Sequence, residues 1–371
     1  MSKARFTDAT ITVVAAWICL LCTFNFAQSF PPSLGGCAIT RCEGKLCHHN
    51  DRGDDEQRRL LLKKAAVIGL VTVAREKPAT AVPLSDSVPP VTGDFDCLLD
   101  LPPVTPGCAR VYLCRHGQTE NNRLHLVQGA RVDPPINQNG YEQAQRLGMA
   151  VSRLTKSSAA AAAIPNLVVH SKLRRARETA ELLASTASSQ ATLKDRSTLK
   201  VFGELPSLGE VDFGNLEGKY VNDFRKEMRT TVANWSIGNI DARTGGGGES
   251  GRQVLERAVL ALEELGNIAT LPSATSSAII AVSHSAYLRI LLSLANGSPL
   301  VESTVWKIQN GSVNVVDVNV EGKKKRLTSD SGLFGGELVG SLRGQNGLNL
   351  EMPEAHLIRK NEVRHLQGMN V

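Results

Sequence analysis

Short apolar runs alternate with segments of helical periodicity from Cys108 onward, and this alternation constrains the fold of the chain more than any other feature. The runs have the length and composition of buried strands, and they cover residues 110–114, 166–170 and 278–282. Apolar side chains recur at helical spacing over residues 140–155 and 172–185, and again after the predicted N-cap Ser250. Strands and helices that alternate in this way predict an α/β domain.

Polar sequences that can carry chemistry follow two of the predicted strands. Arg115-His116-Gly117 comes directly after the first strand, and Ser283-His284 comes directly after the third. Open α/β sheets bind ligands at the carboxyl ends of their strands. We therefore expect His116 and His284 to belong to a ligand site, although either histidine taken alone is more often a core residue.

A histidine surrounded by arginines is suited to phosphoryl transfer. A neutral imidazole is nucleophilic near neutral pH, and nearby guanidinium groups disfavour its protonated form. Arginine binds phosphate through two parallel hydrogen bonds and keeps its charge. A carboxylic acid can then protonate the leaving oxygen.

Several motifs resemble, in order and spacing, those of the histidine phosphatase superfamily, which includes the cofactor-dependent phosphoglycerate mutases. They lie at residues 115–122, 128–129, 136–144, 171–180, 208–218 and 282–289, with a final strand at 357–366. The resemblance covers residues 108–367, apart from an insertion expected at 322–352. It implies an α/β fold of the phosphoglycerate mutase-like type, a three-layer α/β/α sandwich with a mostly parallel central sheet.

The same resemblance implies a role for individual residues. His116 becomes transiently phosphorylated, and Glu210 protonates the leaving oxygen and later activates water. The phosphoryl oxygens are held by Arg115, Arg175 and His284. The implied substrate-binding residues are Thr119, Asn122, Gln128, Gly129 and Ser285. No cofactor and no metal are expected, and the expected partner is a small-molecule phosphate ester.

Three functions remain open at this point: a phosphatase, a phosphoglycerate mutase and a catalytically silent phosphate-binding protein. Mutases of the family carry a paired arginine after the acid motif, which residues 234–241 lack, and His-Gly-Asn where this chain has His284-Ser285-Ala286. A silent binder should have lost a core residue, and none is lost. These differences favour hydrolysis of a phosphate monoester.

The first 81 residues predict a targeting presequence. A basic start, an apolar run at 11–23 and Ala27-Gln28-Ser29 indicate a signal over residues 1–29. The acid-poor stretch that begins at Phe30 resembles the bipartite presequences of secondary plastids. Arg58-Arg59 before an apolar segment resembles a twin-arginine signal, with a plain transit helix as the alternative. We expect a plastid protein, in the thylakoid lumen if the second signal is used. Residues 82–107 predict a linker.

The net charge of +6 does not indicate a nucleic-acid partner. Residues 1–81 carry 11 Lys and Arg against 7 Asp and Glu, so most of the positive charge lies in the predicted presequence. The apolar run at 11–23 is shorter than the roughly 20 residues of a membrane helix, so no stable span is expected in the mature protein. The sequence leaves the oligomeric state open.

Overall fold

The computed structural model describes residues 92–156, 163–190, 199–272, 274, 277–328, 333–334 and 348–369. The predicted presequence at 1–81 and the first part of the predicted linker lie outside the described residues. So does most of the predicted insertion between residues 329 and 347. Within the described ranges, no helix combines the length and apolarity that a membrane span requires.

The described part of the chain contains eight strands and seven α-helices. The strands are β1 (Cys108–Arg115), β2 (Leu167–His170), β3 (Lys200–Glu204), β4 (Ala278–Ser283), β5 (Val313–Asn319), β6 (Lys324–Thr328), β7 (Asn349–Pro353) and β8 (Ala355–Glu362). The helices are α1 (Glu120–Arg123), α2 (Gln138–Thr155), α3 (Arg174–Ser189), α4 (Val221–Ser236), α5 (Gly251–Ala269), α6 (Ser285–Asn296) and α7 (Leu300–Ser303).

The central sheet has the strand order β3-β2-β4-β1-β5-β8 among the described residues. Strands β3, β2, β4 and β1 pair in parallel, whereas β5 pairs antiparallel with both β1 and β8. The prediction of a mostly parallel sheet is therefore confirmed. In this arrangement β1 and β4 are neighbours, although about 170 residues separate them in the sequence.

Helices cover both faces of the sheet, which gives the predicted three layers. Alternate side chains of β1 point to opposite faces. Val111 and Leu113 enter a core with α5 and α6, while Tyr112 and Cys114 enter a second core with α2 and α3. Helices α2, α3 and α5 each bury one stripe of apolar side chains, as their periodicity predicted.

The helix boundaries follow local capping. Ser250 is the N-cap of α5 as predicted, since its Oγ accepts the Gln253 N–H and the Gln253 side chain accepts the Ser250 N–H. Helix α3 begins at Arg174, two residues later than predicted, because the extended Leu173 occupies the N-cap position. The Arg174 N–H donates to Asp133 Oδ2 at 2.8 Å, which satisfies one donor of the first turn.

The described second half of the predicted linker packs against the domain. Cys97 and Leu98 are buried in the core shared with α2 and α3. Arg110, fully buried on β1, donates to the Pro102 carbonyl at 2.7 Å and pairs with Asp317 on β5 at 2.8 Å. Residues 92–107 thus satisfy a buried charge of the sheet, which a free linker does not do.

The two ends of the predicted insertion at 322–352 form an antiparallel pair. Lys324 lies opposite Pro353, and Thr328 lies opposite Asn349. Leu327 and Met352 are buried in the core that contains α5, whereas the preceding charged residues of β6 are exposed. The pair is therefore anchored to the domain by its apolar side chains.

Candidate active site

Two neighbouring parallel strands bring the two predicted histidines together. Arg115 at the end of β1 lies opposite Ser283 at the end of β4, so His116 and His284 leave the sheet side by side. Their ring centroids are 5.1 Å apart, and both side chains are buried. The two histidines therefore meet at the edge of the sheet where the sequence predicted a ligand site.

The His116 ring has a defined hydrogen-bonding state. Its Nδ1 lies 2.7 Å from the Gly117 carbonyl oxygen, which can only accept, so Nδ1 carries a proton and donates it. A neutral ring then has its lone pair on Nε2. Burial, with the charges of Arg175 and Arg115, holds the pKa of His116 well below its ordinary value of 6.5. The imidazole is therefore neutral at physiological pH.

The backbone after His116 is closely packed. A Cβ on Gly117 would lie 2.5 Å from the Gly140 carbonyl oxygen at the start of α2, so only glycine fits there. The Gly117 N–H donates to Thr179 Oγ1 on α3 at 3.0 Å, and the Thr179 hydroxyl donates to the Arg175 carbonyl at 2.7 Å. This chain of bonds ties the nucleophile loop to the helix that carries Arg175.

A residue at the end of β2 holds His284 in place. Its Nε2 lies 2.6 Å from Ser171 Oγ, which comes directly after β2, and Ser171 Oγ also accepts the Leu173 N–H. The other ring nitrogen, Nδ1, is buried without a hydrogen-bond partner. Burial and the charge of Arg175 hold the pKa of His284 well below its ordinary value. An anion between the histidines could supply the missing partner.

Arg175 is the buried member of its arginine-rich helix start. Arg174 and Arg177 are exposed, and Arg174 pairs with Glu178, whereas the Arg175 side chain is fully buried. Its Nη1 donates to the Val132 carbonyl at 2.9 Å and its Nη2 to the Gly129 carbonyl at 3.0 Å. Its Nε is buried and has no partner. Loop carbonyls therefore fix the guanidinium while leaving one donor for a ligand.

Arg115 is held in a similar way by another loop. Its Nη1 donates to the Ile308 carbonyl at 2.8 Å, and its buried Nε has no partner. Burial, together with the nearby charges of Arg289 and Arg175, lowers the pKa of Arg115 to about 9, although Glu210 opposes the shift. The guanidinium consequently remains charged at neutral pH.

Glu210 lies at the amino end of α6. Its Oε1 accepts the Tyr287 N–H at 2.9 Å and the Val211 N–H at 3.0 Å, while its Oε2 has a longer contact of 3.3 Å with the Ala286 N–H. The charge of Glu210 acts on Arg115, Arg175 and Arg289. The predicted acid therefore lies among the arginines, with Oε2 as the less engaged oxygen.

The predicted substrate-binding residues form a network beside His116. Thr119 Oγ1 donates to Gln128 Oε1 at 2.8 Å, and Thr119 N–H donates to Asn122 Oδ1 at 3.2 Å. Gly129 contributes its carbonyl to Arg175. Ser285, the first residue of α6, has its Oγ 3.5 Å from the Ile308 carbonyl. Thr119, Gln128 and Gly129 thus orient their neighbours, and Asn122 faces both this network and the loop at 308–311.

The loop at 308–311 is a part of the site that the sequence motifs did not reveal. Asn310 Nδ2 donates to the His116 carbonyl and to Asn122 Oδ1, each at 3.1 Å. Because Asn122 Oδ1 accepts from Asn310 and from Thr119, the amide NH₂ group of Asn122 is turned away from both. The loop therefore positions Arg115, through the Ile308 carbonyl, as well as Asn122.

Neither a metal cluster nor a reactive thiol accompanies this site. In the part of the chain that the structure describes, no three His, Cys, Asp or Glu side chains gather as metal ligands. Cys114 is buried on β1, as predicted, and burial raises the pKa of its thiol to about 12. The groups described at the strand ends are the imidazoles of His116 and His284, three guanidinium groups and the carboxyl group of Glu210. The guanidinium groups belong to Arg115, Arg175 and Arg289.

Residues 111–331 match the model of the histidine phosphatase superfamily, branch 1. The chain belongs to this superfamily. It is 30% identical over 207 residues to phosphoglycerate mutase-like protein 4 of Arabidopsis thaliana. That match covers 56% of this chain and 78% of the relative. It is 31% identical over 208 residues to a metal-independent phosphoserine phosphatase of the same plant, over 56% of this chain and 75% of the relative.

The chain is also similar to solved structures. The alpha-ribazole phosphatase from Shigella flexneri superimposes with a TM-score of 0.41 and 26% identity, over 57% of this chain and 91% of that protein. The relatives of this superfamily member include a phosphatase and a mutase-like protein, which supports phosphoryl transfer as the general chemistry of the chain.

Proposed function

We propose that this histidine phosphatase hydrolyses a phosphate monoester through a phosphohistidine on His116. The observation that carries this proposal is the bond from His116 Nδ1 to the Gly117 carbonyl, because it leaves the lone pair on Nε2 of a buried, neutral ring. That ring lies beside His284, whose Nδ1 lacks a partner, and near the unpartnered Nε atoms of Arg115 and Arg175. A phosphoryl group satisfies all of these donors.

In the first step, His116 Nε2 attacks phosphorus and the bond to the alcohol oxygen breaks. Glu210 transfers its proton to that oxygen, so the alcohol leaves neutral. Oε2 of Glu210 suits this role because Oε1 is engaged by two backbone donors. Charge on the equatorial oxygens is stabilised by Arg115 and Arg175, which the loops at 129–132 and 308 hold in place before substrate binds.

In the second step, water attacks the phosphohistidine and the bond between phosphorus and Nε2 breaks. The ionised Glu210 accepts the water proton, which restores the acid, and His116 regains its lone pair. Phosphate is the second product. No other group needs to be oxidised or reduced, and each proton is accounted for by Glu210.

Two features of the sequence favour hydrolysis over mutase activity. Residues 234–241 contain no arginine pair to hold a bisphosphate, and Ser285-Ala286 follow His284 where mutases have Gly-Asn. The similarity to a relative named as a metal-independent phosphoserine phosphatase supports the same choice. Isomerisation of 2- and 3-phosphoglycerate in the presence of a bisphosphate would instead identify a mutase.

The test is turnover of a chromogenic aryl phosphate by the wild type and by His116→Ala, with EDTA present. We expect the wild type to be active without divalent metal and the variant to lose activity by on the order of a thousandfold or more. His356→Ala on the outer strand β8 is a matched control that should retain activity. Strict dependence on added metal, or equal rates for wild type and His116→Ala, would contradict the proposal.

A further inference from the structure

An ion pair behind the acid loop, between Arg257 and Glu249, has no part in the two proposed chemical steps. Arg257 lies on α5, and Glu249 comes directly before the N-cap of that helix. Arg257 Nη2 donates to Glu249 Oε2 at 2.8 Å and Nε donates to Oε1 at 3.0 Å, so the guanidinium binds the carboxylate as a fork. The two side chains are only 18% and 19% exposed. Because withdrawing two charges from water offsets much of their attraction, such a pair calls for a role besides stability.

The ion pair also binds the backbone on both sides of the proposed acid. Arg257 Nη1 donates to the Gly209 carbonyl at 2.6 Å, and Nη2 has a longer contact of 3.4 Å with the Glu210 carbonyl. Glu249 Oε2 accepts the Asp212 N–H at 2.9 Å. The pair therefore fixes the chain directly before and after the residue that carries the acid group.

The same guanidinium supports the residue that holds the Glu210 carboxyl group. The Arg257 guanidinium carbon lies 4.4 Å from the centre of the Tyr287 ring, and the Tyr287 hydroxyl donates to the Arg257 carbonyl at 3.3 Å. The Tyr287 N–H in turn donates to Glu210 Oε1 at 2.9 Å. Burial opposes the charge of Arg257, but the hydrogen bonds to Glu249 outweigh it and the pKa of Arg257 is raised. A cation thus packs against the donor that orients the acid.

We propose that Arg257 is a positioning residue that, together with Glu249, aims the Glu210 carboxyl group at the leaving oxygen. This inference rests on the proposed function, because it takes Glu210 as the general acid. Proton transfer requires hydrogen-bond distance, and a displacement of about 1 Å can cost about a hundredfold in rate. Arg115 and Arg175 are held by other loops, at residues 308 and 129–132. Loss of the ion pair should therefore weaken proton transfer more than the hold on phosphate.

The experiment measures kcat/KM of the full chain for a series of phenyl phosphates whose ring substituents change the acidity of the leaving phenol. 4-Nitrophenolate leaves with little help from an acid, whereas unsubstituted phenolate depends on protonation. We expect Arg257→Met to lower kcat/KM roughly thirtyfold for phenyl phosphate and less than about threefold for 4-nitrophenyl phosphate. A smaller folded fraction, or a weaker hold on phosphate, would lower kcat/KM equally across the series and would overturn the inference.

Further variants keep the test independent of folding. Arg257→Met leaves Glu249 without its partner, whereas Arg257→Met combined with Glu249→Leu removes both charges and should show the same dependence on the leaving group. Arg257→Lys keeps the charge but not the fork, so its dependence should be intermediate. Arg252→Met is a matched control on α5, because Arg252 pairs with Asp241 at 2.8 Å, and it should leave the dependence unchanged.

Glu210→Gln separates this inference from the proposed function. It should make the dependence on the leaving group steeper than any Arg257 variant does. An equal loss across the series in Glu210→Gln would refute Glu210 as the acid, and the inference with it. A steep dependence in Glu210→Gln, with an equal loss or no loss in the Arg257 variants, would overturn the inference alone.

Discussion

The pH dependence of stability follows from three buried histidines. His116, His284 and His365 are each at most 3% exposed. Burial holds the pKa values of His116 and His284 well below 6.5 and lowers that of His365 to about 4. In the unfolded chain all three titrate near 6.5. The unfolded state therefore binds more protons below that pH, and stability is lost as the pH falls.

The magnitude can be worked out for one pH. His365, with a folded pKa of about 4, stays neutral at pH 5, which lies about 1.5 units below its unfolded pKa. One unit corresponds to about 1.4 kcal/mol, so His365 alone removes about 2 kcal/mol from a stability that is typically about 5–15 kcal/mol, and His116 and His284 act in the same direction. Above about pH 7 the full stability is present.

His365→Gln separates this effect from the catalytic site. His365 Nε2 donates to the Gly311 carbonyl at 3.0 Å, a bond that a glutamine amide can reproduce without titrating. Urea unfolding at pH 7.5 and pH 5 should show a loss of stability that is about 2 kcal/mol smaller in the variant than in the wild type. Equal losses in the two proteins, or a wild type whose stability is flat across this range, would refute the reasoning.

Three further predictions concern activity and location. The kcat/KM for an aryl phosphate, corrected for ionisation of the substrate, should persist to well below pH 6.5, because burial and two arginines lower the pKa of His116; an acid limb at or above pH 6.5 would contradict this. Asn310→Ala should lower kcat/KM about tenfold, since Asn122 loses the bond that orients its amide, whereas the exposed Asn296→Ala should have no effect; equal values would exclude the positioning role. Residues 1–81 fused to a fluorescent protein should enter the plastid of an alga with secondary plastids, and cytosolic fluorescence would argue against the predicted presequence.

The sequence alone predicted the features of the fold and the site that depend on periodicity or on a short motif. Apolar runs located β1 and β4, and the rule for strand ends placed His116 and His284 at one edge of the sheet. The selection of Arg175 among three arginines came from the family motif, and burial of that side chain agrees with it. Each of these features depends on local composition or on short spacing.

Contacts between distant loops could not be predicted in the same way. Asn310 reaches the His116 carbonyl across 194 residues of sequence, and a single amide leaves no periodic pattern. Ser171 was part of a matched motif, yet its contact with His284 depends on β2 and β4 being neighbours. The linker at 82–107 was predicted from its content of proline, serine and aspartate. That composition does not reveal that Arg110 on β1 donates to the Pro102 carbonyl.

Trapping the covalent intermediate tests the central claim most directly. The enzyme is mixed briefly with excess phosphate monoester and quenched in alkali, in which phosphohistidine is stable, and its peptides are mapped by mass spectrometry. A phosphoryl group on Nε2 of His116, absent from His116→Ala, is the result that the free lone pair of this ring predicts. Steady hydrolysis with the phosphoryl group on another residue, or with no phosphorylated peptide at any time, would contradict it.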